Sequence, residues 1–250
     1  MPGYAQYFQM LRQHPLKPTI TTKEQVERVV QEQWAELQTR CDKLRDAKIE
    51  VVMDDSLGEA PVLAWASRTH VLVDGVWVPS VLTDLQVERD ILIGVNAHIP
   101  NGWAMTCHEG LRYHLPTVML HELLHGAGIS SSVTDTSVGY TIGSHCFPNL
   151  MDLQMKDKYG NKLVHGCTYN DTDRVFVNGV ELFHPEIYVS GSSLSHTKEM
   201  GIMNYQIAPQ TCLSMQSQEV KILNTLDLHC SAANILEPLA LFLLIYMILL

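Results

Sequence analysis

The 250-residue chain has no run rich in lysine and arginine, and its 17 basic residues against 27 acidic ones give a formal charge of −10. Nucleic-acid binding draws on counterions released by a basic face, so we expect no nucleic-acid partner. The chain also lacks the low hydrophobicity of disordered proteins, because 46% of its residues are hydrophobic and 18% are charged. It can therefore bury a core, and its expected partners are proteins or small molecules.

The cysteines form neither a CxxC pair nor a zinc-ribbon spacing. Their even number allows three disulfides, which fits an oxidising compartment, although six cysteines are also ordinary in a cytosolic protein of this length. The six are Cys41, Cys107, Cys146, Cys167, Cys212 and Cys230. The one N-glycosylation sequon, Asn170-Asp171-Thr172, agrees with an oxidising compartment and makes Asn170 the expected acceptor.

Long apolar runs are rare, and the longest is LALFLLIYMILL at residues 239–250, which contains no charged residue. As a helix it spans about 18 Å, less than the ~30 Å hydrocarbon core, so a simple membrane-spanning helix is not expected. Ser231 and two alanines precede the run, which is the layout of a glycosylphosphatidylinositol (GPI) signal with Ser231 as the attachment site. We predict that residues 231–250 are such a signal or a hydrophobic C-terminal anchor. An ordinary buried helix is the alternative.

The first 18 residues, MPGYAQYFQMLRQHPLKP, lack the basic segment and long apolar segment of a secretory signal peptide. A surface protein anchored to the membrane through its tail or a lipid must enter the secretory pathway. Either the chain has lost its start or the anchor interpretation is wrong. With that reservation, the expected location is extracellular or at the cell surface.

Residues 23–47 predict a long amphipathic helix with Thr22 as its N-cap, because apolar side chains recur every three or four positions from Val26 to Leu44. A second helix is expected to open at Pro116 and to end at the glycines 126 and 128. Residues 217–228 predict a closing helix. The predicted strands are short: 49–53, 62–66, 70–73, 76–78 and 90–95. The Asp74-Gly75 turn predicts that 70–73 and 76–78 form a hairpin. No internal repeat or low-complexity linker is present, which favours one domain of two lobes.

The second predicted helix contains the sequence HELLH, with His121, Glu122 and His125. Four residues of helix return a side chain to nearly the same face, so both histidines can aim their imidazoles at one metal ion. Zinc suits this arrangement because it is a Lewis acid without redox activity that lowers the pKa of bound water to about 7. Glu122 is then placed to take a proton from that water and pass it to the leaving amine. We predict one catalytic Zn²⁺ ion.

The third ligand is not where the pattern HExxHxxGxxH places it, because Ile-Ser-Ser follows Gly128. Downstream, Ser195-His196 precedes the sequence GIMNY at 201–205. Together with HELLHGAG, these segments resemble the zinc metallopeptidases of the metzincin clan, specifically the leishmanolysin-like kind. In that kind an insertion separates HExxHxxG from the third histidine, and a methionine turn follows. The resemblance covers about residues 90–230 and implies His196 as the third ligand and Met203 as the floor beneath the metal.

The segment GIMNY also resembles the methionine turn of astacins and serralysins, in which a tyrosine approaches the zinc. For this chain the resemblance implies Tyr205 as an extra ligand or as a hydrogen-bond donor to the oxyanion. Three histidines of the insertion, His145, His165 and His184, compete with His196 as ligands. Only His196 lies just upstream of the methionine turn.

Two further features concern substrate binding and the cysteines. The strand at 90–95 resembles the edge strand along which metzincins bind an extended peptide, with an interior strand as the equal alternative. A Cys146–Cys167 disulfide would close a loop of about 20 residues and stabilise the fold by roughly 3 kcal/mol. A Cys212–Cys230 disulfide is also expected, and free buried thiols are the alternative.

The predicted fold class is α+β. The resemblance implies a metzincin-like zincin, with an upper lobe of helices plus a mixed twisted sheet and an irregular lower lobe with the Met-turn and a C-terminal helix. The catalytic domain is expected to cover residues 1–230, with the upper lobe at about 20–128 and the insertion and lower lobe at about 129–230. The predicted function is zinc-dependent endopeptidase activity on a protein or peptide substrate. The alternatives are a non-catalytic surface adhesion or binding protein on the same scaffold, and a zinc hydrolase of a non-peptide substrate.

Overall fold

The computed structural model describes residues 21–58, 62–99, 101–107, 109–136 and 139–231. Its architecture is mixed α+β, as the sequence predicts. Within the described residues, the helices are α1 (Lys23–Arg40), α2 (Leu115–Ala127) and α3 (Ser217–Thr225). The strands of the first half are β1 (Ile49–Met53), β2 (Ala64–Arg68), β3 (His70–Val73), β4 (Val76–Pro79), β5 (Ile91–Val95), β6 (Trp103–Ala104) and β7 (Tyr113–His114). Those of the second half are β8 (Val133–Thr136), β9 (Gly139–Ile142), β10 (Met155–Lys156), β11 (Val164–His165), β12 (Thr168–Tyr169), β13 (Phe176–Val177) and β14 (Val180–Glu181).

Helix α1 begins at the predicted N-cap. The Thr22 hydroxyl accepts a hydrogen bond from the Gln25 amide, and the Gln25 side chain accepts one from the Thr22 amide, which completes a capping box. The predicted apolar face is buried, with Val26 and Val30 at 0% exposure. The helix ends at Arg40 rather than near residue 47, because Cys41 adopts an extended backbone and bridges to Cys230.

The principal sheet has three strands in the order β1-β5-β2. Strands β1 and β5 are parallel, whereas β2 is antiparallel to β5, with Ala66 opposite Ile93. Strand β5 is therefore the central strand, so of the two alternatives for 90–95 the interior strand is confirmed and the edge strand is wrong. Four of the five residues of β5, Ile91, Ile93, Gly94 and Val95, are buried, which agrees with an interior position. The two edge strands of this sheet are β1 and β2, and β2 runs two residues beyond its predicted end, to Arg68.

Helix α2 packs closely against this sheet. A Cβ atom at Gly126 would lie 2.6 Å from Cδ1 of Ile91, so only glycine allows this approach. Gly126 is therefore inside the helix, and the prediction that the helix ends there is wrong. The helix ends at Ala127, and Gly128 with a φ of 124° forms the predicted cap, its amide donating to the carbonyl of His125.

The second half of the chain is built from the hairpin of β8 and β9 and from two-residue strands, and it closes with α3. Helix α3 ends at Thr225, three residues before the predicted Leu228, but Leu226 and Leu228 are still buried. Asn170, the predicted glycan acceptor, is exposed.

Three disulfides close the fold: Cys41–Cys230, Cys107–Cys212 and Cys146–Cys167. The Cys146–Cys167 prediction is confirmed. The Cys212–Cys230 prediction is wrong, because the C-terminal segment lies against the end of α1, where the Ser231 amide donates to the carbonyl of Arg40 at 2.8 Å. Three disulfides fit an oxidising, extracellular-type environment.

Across the described ranges, no helix has the length and apolar content that crossing a membrane requires. The predicted anchor or GPI signal begins at Ser231, the last described residue before the C-terminal tail. Residues 232–250 lie outside the described residues.

Candidate metal centre

Helix α2 presents His121 and His125 one turn apart, and a loop from the second half of the chain brings His196 against them. The three Nε2 atoms are 3.1 Å apart for His121–His196, 3.1 Å for His121–His125 and 3.3 Å for His125–His196. The predicted grouping of these histidines is therefore present.

The other nitrogen of each ring is bound to a backbone carbonyl. Nδ1 of His121 lies 2.6 Å from the oxygen of Ile202, Nδ1 of His125 lies 2.6 Å from that of Ile129, and Nδ1 of His196 lies 2.9 Å from that of Ser192. A carbonyl oxygen only accepts, so each Nδ1 carries the proton and donates. Each Nε2 then has its lone pair free and directed at the common centre, which is the orientation of metal-binding histidines.

This donor set fits a tetrahedral metal ion. Nitrogen ligands about 2.0 to 2.1 Å from a tetrahedral zinc lie about 3.3 Å from one another, close to the spacing of the three Nε2 atoms. Burial lowers the pKa of His121 to about 3 and also lowers the pKa values of His125 and His196, so the rings are neutral at pH 7, as ligation requires. Three lone pairs this close together repel one another unless a cation lies between them.

The turn at residues 201–204 packs against the histidine cluster, and its Ile202 carbonyl binds Nδ1 of His121. The Asn204 amide donates to the carbonyl of Gly201, and the Thr197 amide donates to that of Met203 at 2.8 Å, one residue after His196. Met203 is fully buried. On the other side, the buried carboxylate of Glu219 on α3 accepts from the Met203 amide at 3.4 Å. The predicted Met-turn residues thus lie against two of the three histidines.

Glu122 is 5% exposed and lines the same cleft as the histidines. Burial raises the pKa of its carboxyl to about 8. A carboxyl group whose pKa lies near neutrality is suited to both accept and donate a proton.

Tyr205 also lines the cleft, and its ring stacks on that of Phe183 with 3.9 Å between the centroids.

The competing histidines lie elsewhere: Nε2 of His165 is 3.0 Å from the carbonyl of Lys162, and Nε2 of His184 is 3.1 Å from a carboxylate oxygen of Asp171. His145 is exposed. In the described part of the chain, the one other cluster with metal-binding side chains is Cys107, His114 and Cys212. Its two cysteines are bonded to each other, which removes them as thiolate ligands.

The cleft beside the centre has a volume of about 680 Å³, and strand β2 forms one of its walls. The lining residues from β2 and the segment before it are Val62, Leu63, Ala64, Trp65, Ala66 and Arg68. As β2 is the edge of its sheet, an extended chain in this cleft can pair with it.

Arg68 and Asp152 are two site residues that the sequence did not single out. Arg68 donates to the carbonyl of His125 at 2.8 Å, to the Ser130 hydroxyl at 2.5 Å and to Nε2 of His70 at 2.8 Å. Burial lowers the pKa of Arg68 to about 10, which leaves it charged at neutral pH, and burial beside this cation lowers the pKa of His70 to about 4.

The fully buried carboxylate of Asp152 holds the segment after α2, accepting from the Ser131 hydroxyl at 2.7 Å and the Asn149 amide at 2.8 Å. The one feature of the sequence that could have pointed to Arg68 is its position two residues beyond the predicted strand 62–66. No feature of the sequence pointed to Asp152, because its hydrogen-bond partners come from separate loops.

In comparisons with protein families, curated proteins and solved structures, the chain matches none of them.

Proposed function

We propose that this chain is a zinc-dependent endopeptidase of the metzincin type. The observation that carries the proposal is the convergence of three Nε2 atoms within 3.3 Å of one another, each on a ring fixed by a carbonyl at Nδ1. His121, His125 and His196 would hold the ion. When bound, zinc supplies Lewis acidity, which lowers the pKa of water to about 7 and polarises a peptide carbonyl.

Glu122 carries the proton transfers. It is the next residue to a proposed ligand and lines the cleft. Its carboxylate accepts a proton from the attacking water and then donates it to the amine of the leaving fragment. Because Glu122 is only 5% exposed, bulk water has little access to its carboxyl group.

The substrate is an extended peptide that adds as a strand to the edge of β2. Backbone hydrogen bonds to β2 supply affinity that does not depend on the peptide's sequence. Tyr205 lines the cleft, and in this proposal its hydroxyl donates a hydrogen bond to the oxyanion once a peptide is bound. The three disulfides agree with action outside the cell.

The test compares the purified wild-type protein with E122Q on a broad peptide library. We expect the wild type to cleave internal peptide bonds, and E122Q to keep its zinc but to cleave about 100- to 10,000-fold more slowly. The matched control is E186Q, which changes an exposed glutamate away from the cleft. A wild type that binds zinc but cleaves no peptide would identify a non-catalytic protein or a hydrolase of another substrate class.

A further inference from the structure

The cleft differs chemically between its two ends along α2. The Gln210 amide donates to the carbonyl of Arg112, which brings the segment before Gln210 to the start of α2. At this end of the cleft the lining is mainly apolar. The residues there include Val118, Ile207, Ala208 and Pro209. Near the end of α2, the lining consists of one guanidinium group and several hydroxyl groups. These residues, which we call the Arg68 subsite, are Arg68, Ser130, Ser131, Ser190, Ser192 and Ser195.

Arg68 brings a positive charge that is not neutralised nearby. Among the described residues, no carboxylate lies within 4.0 Å of its guanidinium group. The negative charge of Asp152 acts on Arg68 from a distance. The carboxylate of Asp152 already accepts hydrogen bonds from the Ser131 hydroxyl and from the amides of Ser132 and Asn149. A largely buried cation without a counter-ion is costly to the fold, and an anion in the cleft would remove that cost.

The guanidinium group also has donors to offer. Its bonds to His70, His125 and Ser130 use Nε and one hydrogen on each terminal nitrogen. An arginine has five N–H donors, so one on each terminal nitrogen is not used by the described residues. Two such donors match the two oxygens of a carboxylate.

We propose that the Arg68 subsite binds the carboxylate of an acidic side chain located N-terminal to the scissile bond. The proposal rests on the proposed function, because it names the peptides that this endopeptidase prefers. The hydroxyl groups of Ser130 and Ser192 complete the polar surroundings of that carboxylate. The apolar end of the cleft takes the residues C-terminal to the scissile bond.

The direction of the peptide follows from the strand order. Strand β2 runs from Ala64 to Arg68, and the favoured antiparallel addition makes a bound peptide run the opposite way. Its N-terminal part then lies near Arg68, and its C-terminal part lies near Leu63. The hydrogen bond from Arg68 to the carbonyl of His125 fixes the guanidinium group beside the end of α2, where the N-terminal part of a peptide bound in this direction lies.

The test measures the cleavage positions in a random peptide library by mass spectrometry. We expect Asp and Glu to be enriched on the N-terminal side of the cleaved bonds for the wild type. The enrichment should be lost in R68Q and kept in R28Q, which removes an exposed arginine on α1. Cleavage without an acidic preference, or with one confined to the C-terminal side, would overturn the proposal and leave the endopeptidase intact.

Arg68 also stabilises the end of α2 through its hydrogen bonds to His125 and Ser130, so R68Q can disturb the fold. A second variant that keeps these hydrogen bonds is therefore needed. In S190E, an exposed serine of the same subsite becomes a carboxylate that competes with the peptide for Arg68 and repels acidic side chains. We expect S190E to fold as the wild type does and to lose the acidic preference. An unchanged preference in both S190E and R68Q would contradict the proposal.

A binding measurement separates recognition from catalysis. The most strongly cleaved peptide and its analogue with Gln in place of the acidic residue are titrated against E122Q by fluorescence anisotropy. We expect the acidic peptide to bind about ten-fold more tightly, and the difference to vanish in E122Q/R68Q. Equal binding of both peptides by E122Q overturns the subsite. If the wild type cleaves nothing in the library, the proposed function fails, and the subsite fails with it.

Discussion

Nδ1 of His121 lies 2.6 Å from the carbonyl oxygen of Ile202, 81 residues further along the chain. This hydrogen bond joins α2 to the turn that contains Met203. Because the ring donates there, its Nε2 atom keeps a lone pair that faces His125 and His196. The tautomer on which metal binding depends is thus determined by a contact between two distant segments.

Zinc affinity should depend on His196 and not on the other histidines of the insertion. We expect H196A to weaken zinc binding by more than about 100-fold, since changes outside the ligand shell alone cost about 10- to 100-fold. A zinc competition titration measures the affinity. The control is H165A, an exposed histidine whose ring lies against the carbonyl of Lys162. Unchanged affinity in H196A, with loss in H165A or H145A, would rule out the proposed triad.

Met203 should contribute to stability through its complete burial. We expect M203A to lower the free energy of unfolding by about 2 to 5 kcal/mol, the usual cost of truncating a buried methionine. Urea unfolding monitored by circular dichroism measures it. The matched control is M200A, three residues away and 75% exposed, which should change stability by about 0.5 kcal/mol or less. Equal effects of the two substitutions would show that the methionine turn is not a packed floor.

The disulfides should differ in their contribution to stability, because they close loops of different length. Cys41–Cys230 has a sequence separation of 189, and Cys146–Cys167 has one of 21. The chain-entropy relation gives about 4 to 5 kcal/mol for the first, allowing for the Cys107–Cys212 crosslink inside its loop, and about 3 kcal/mol for the second. We therefore expect C41A/C230A to be less stable than C146A/C167A in chemical denaturation. The reverse order would mean that local packing outweighs loop closure.

Glu181 should stabilise the fold in a pH-dependent way. It accepts hydrogen bonds from Arg174 at 2.9 and 2.5 Å and from Lys198 at 2.8 Å, and the Arg174 contact is the main reason that its pKa falls from 4.5 to about 2. A lowered carboxyl pKa stabilises the folded protein above the unfolded pKa of 4.5, and this contribution disappears as the pH falls through about 2.

The test of this linkage compares E181Q with the wild type at several pH values. We expect E181Q to be less stable by about 1 kcal/mol at pH 7, with the difference shrinking below about pH 4.5. The difference between the two proteins is the quantity to follow, because acid also protonates the histidines of both. E186Q, which changes an exposed glutamate that forms no ion pair with the described residues, should show no such trend. A pH-independent difference would contradict the linkage.

Several elements were predictable because their signals are local. The 3.6-residue period and the Thr22 cap identified the start and the buried face of α1, and Asp74-Gly75 identified the hairpin of β3 and β4. The two histidines of α2 share a face by helix geometry alone. Helix ends were less accurate: α1 stops at Arg40 because Cys41 is pulled into an extended bridge with Cys230, a partner 189 residues away.

The placement of the strands at the cleft was beyond local signals. Composition identified a strand near 90–95 but not its neighbours, so it did not reveal that β5 is interior and that β2 is the edge strand at the cleft. Arg68 lies two residues beyond the predicted strand 62–66, and only the packing of β2 against α2 brings its guanidinium group to His125.

The order of residues was sufficient to determine the amphipathic helices, the pair of histidines on α2 and the glutamate between them, since these depend on spacings of a few residues. The tertiary structure decided which cysteines pair, which of the distant histidines joins the pair, and which strand faces the cleft. These outcomes depend on how loops of many tens of residues close, and their closure is governed by burial and hydrogen bonding summed over the whole core. No spacing within the sequence encodes that sum.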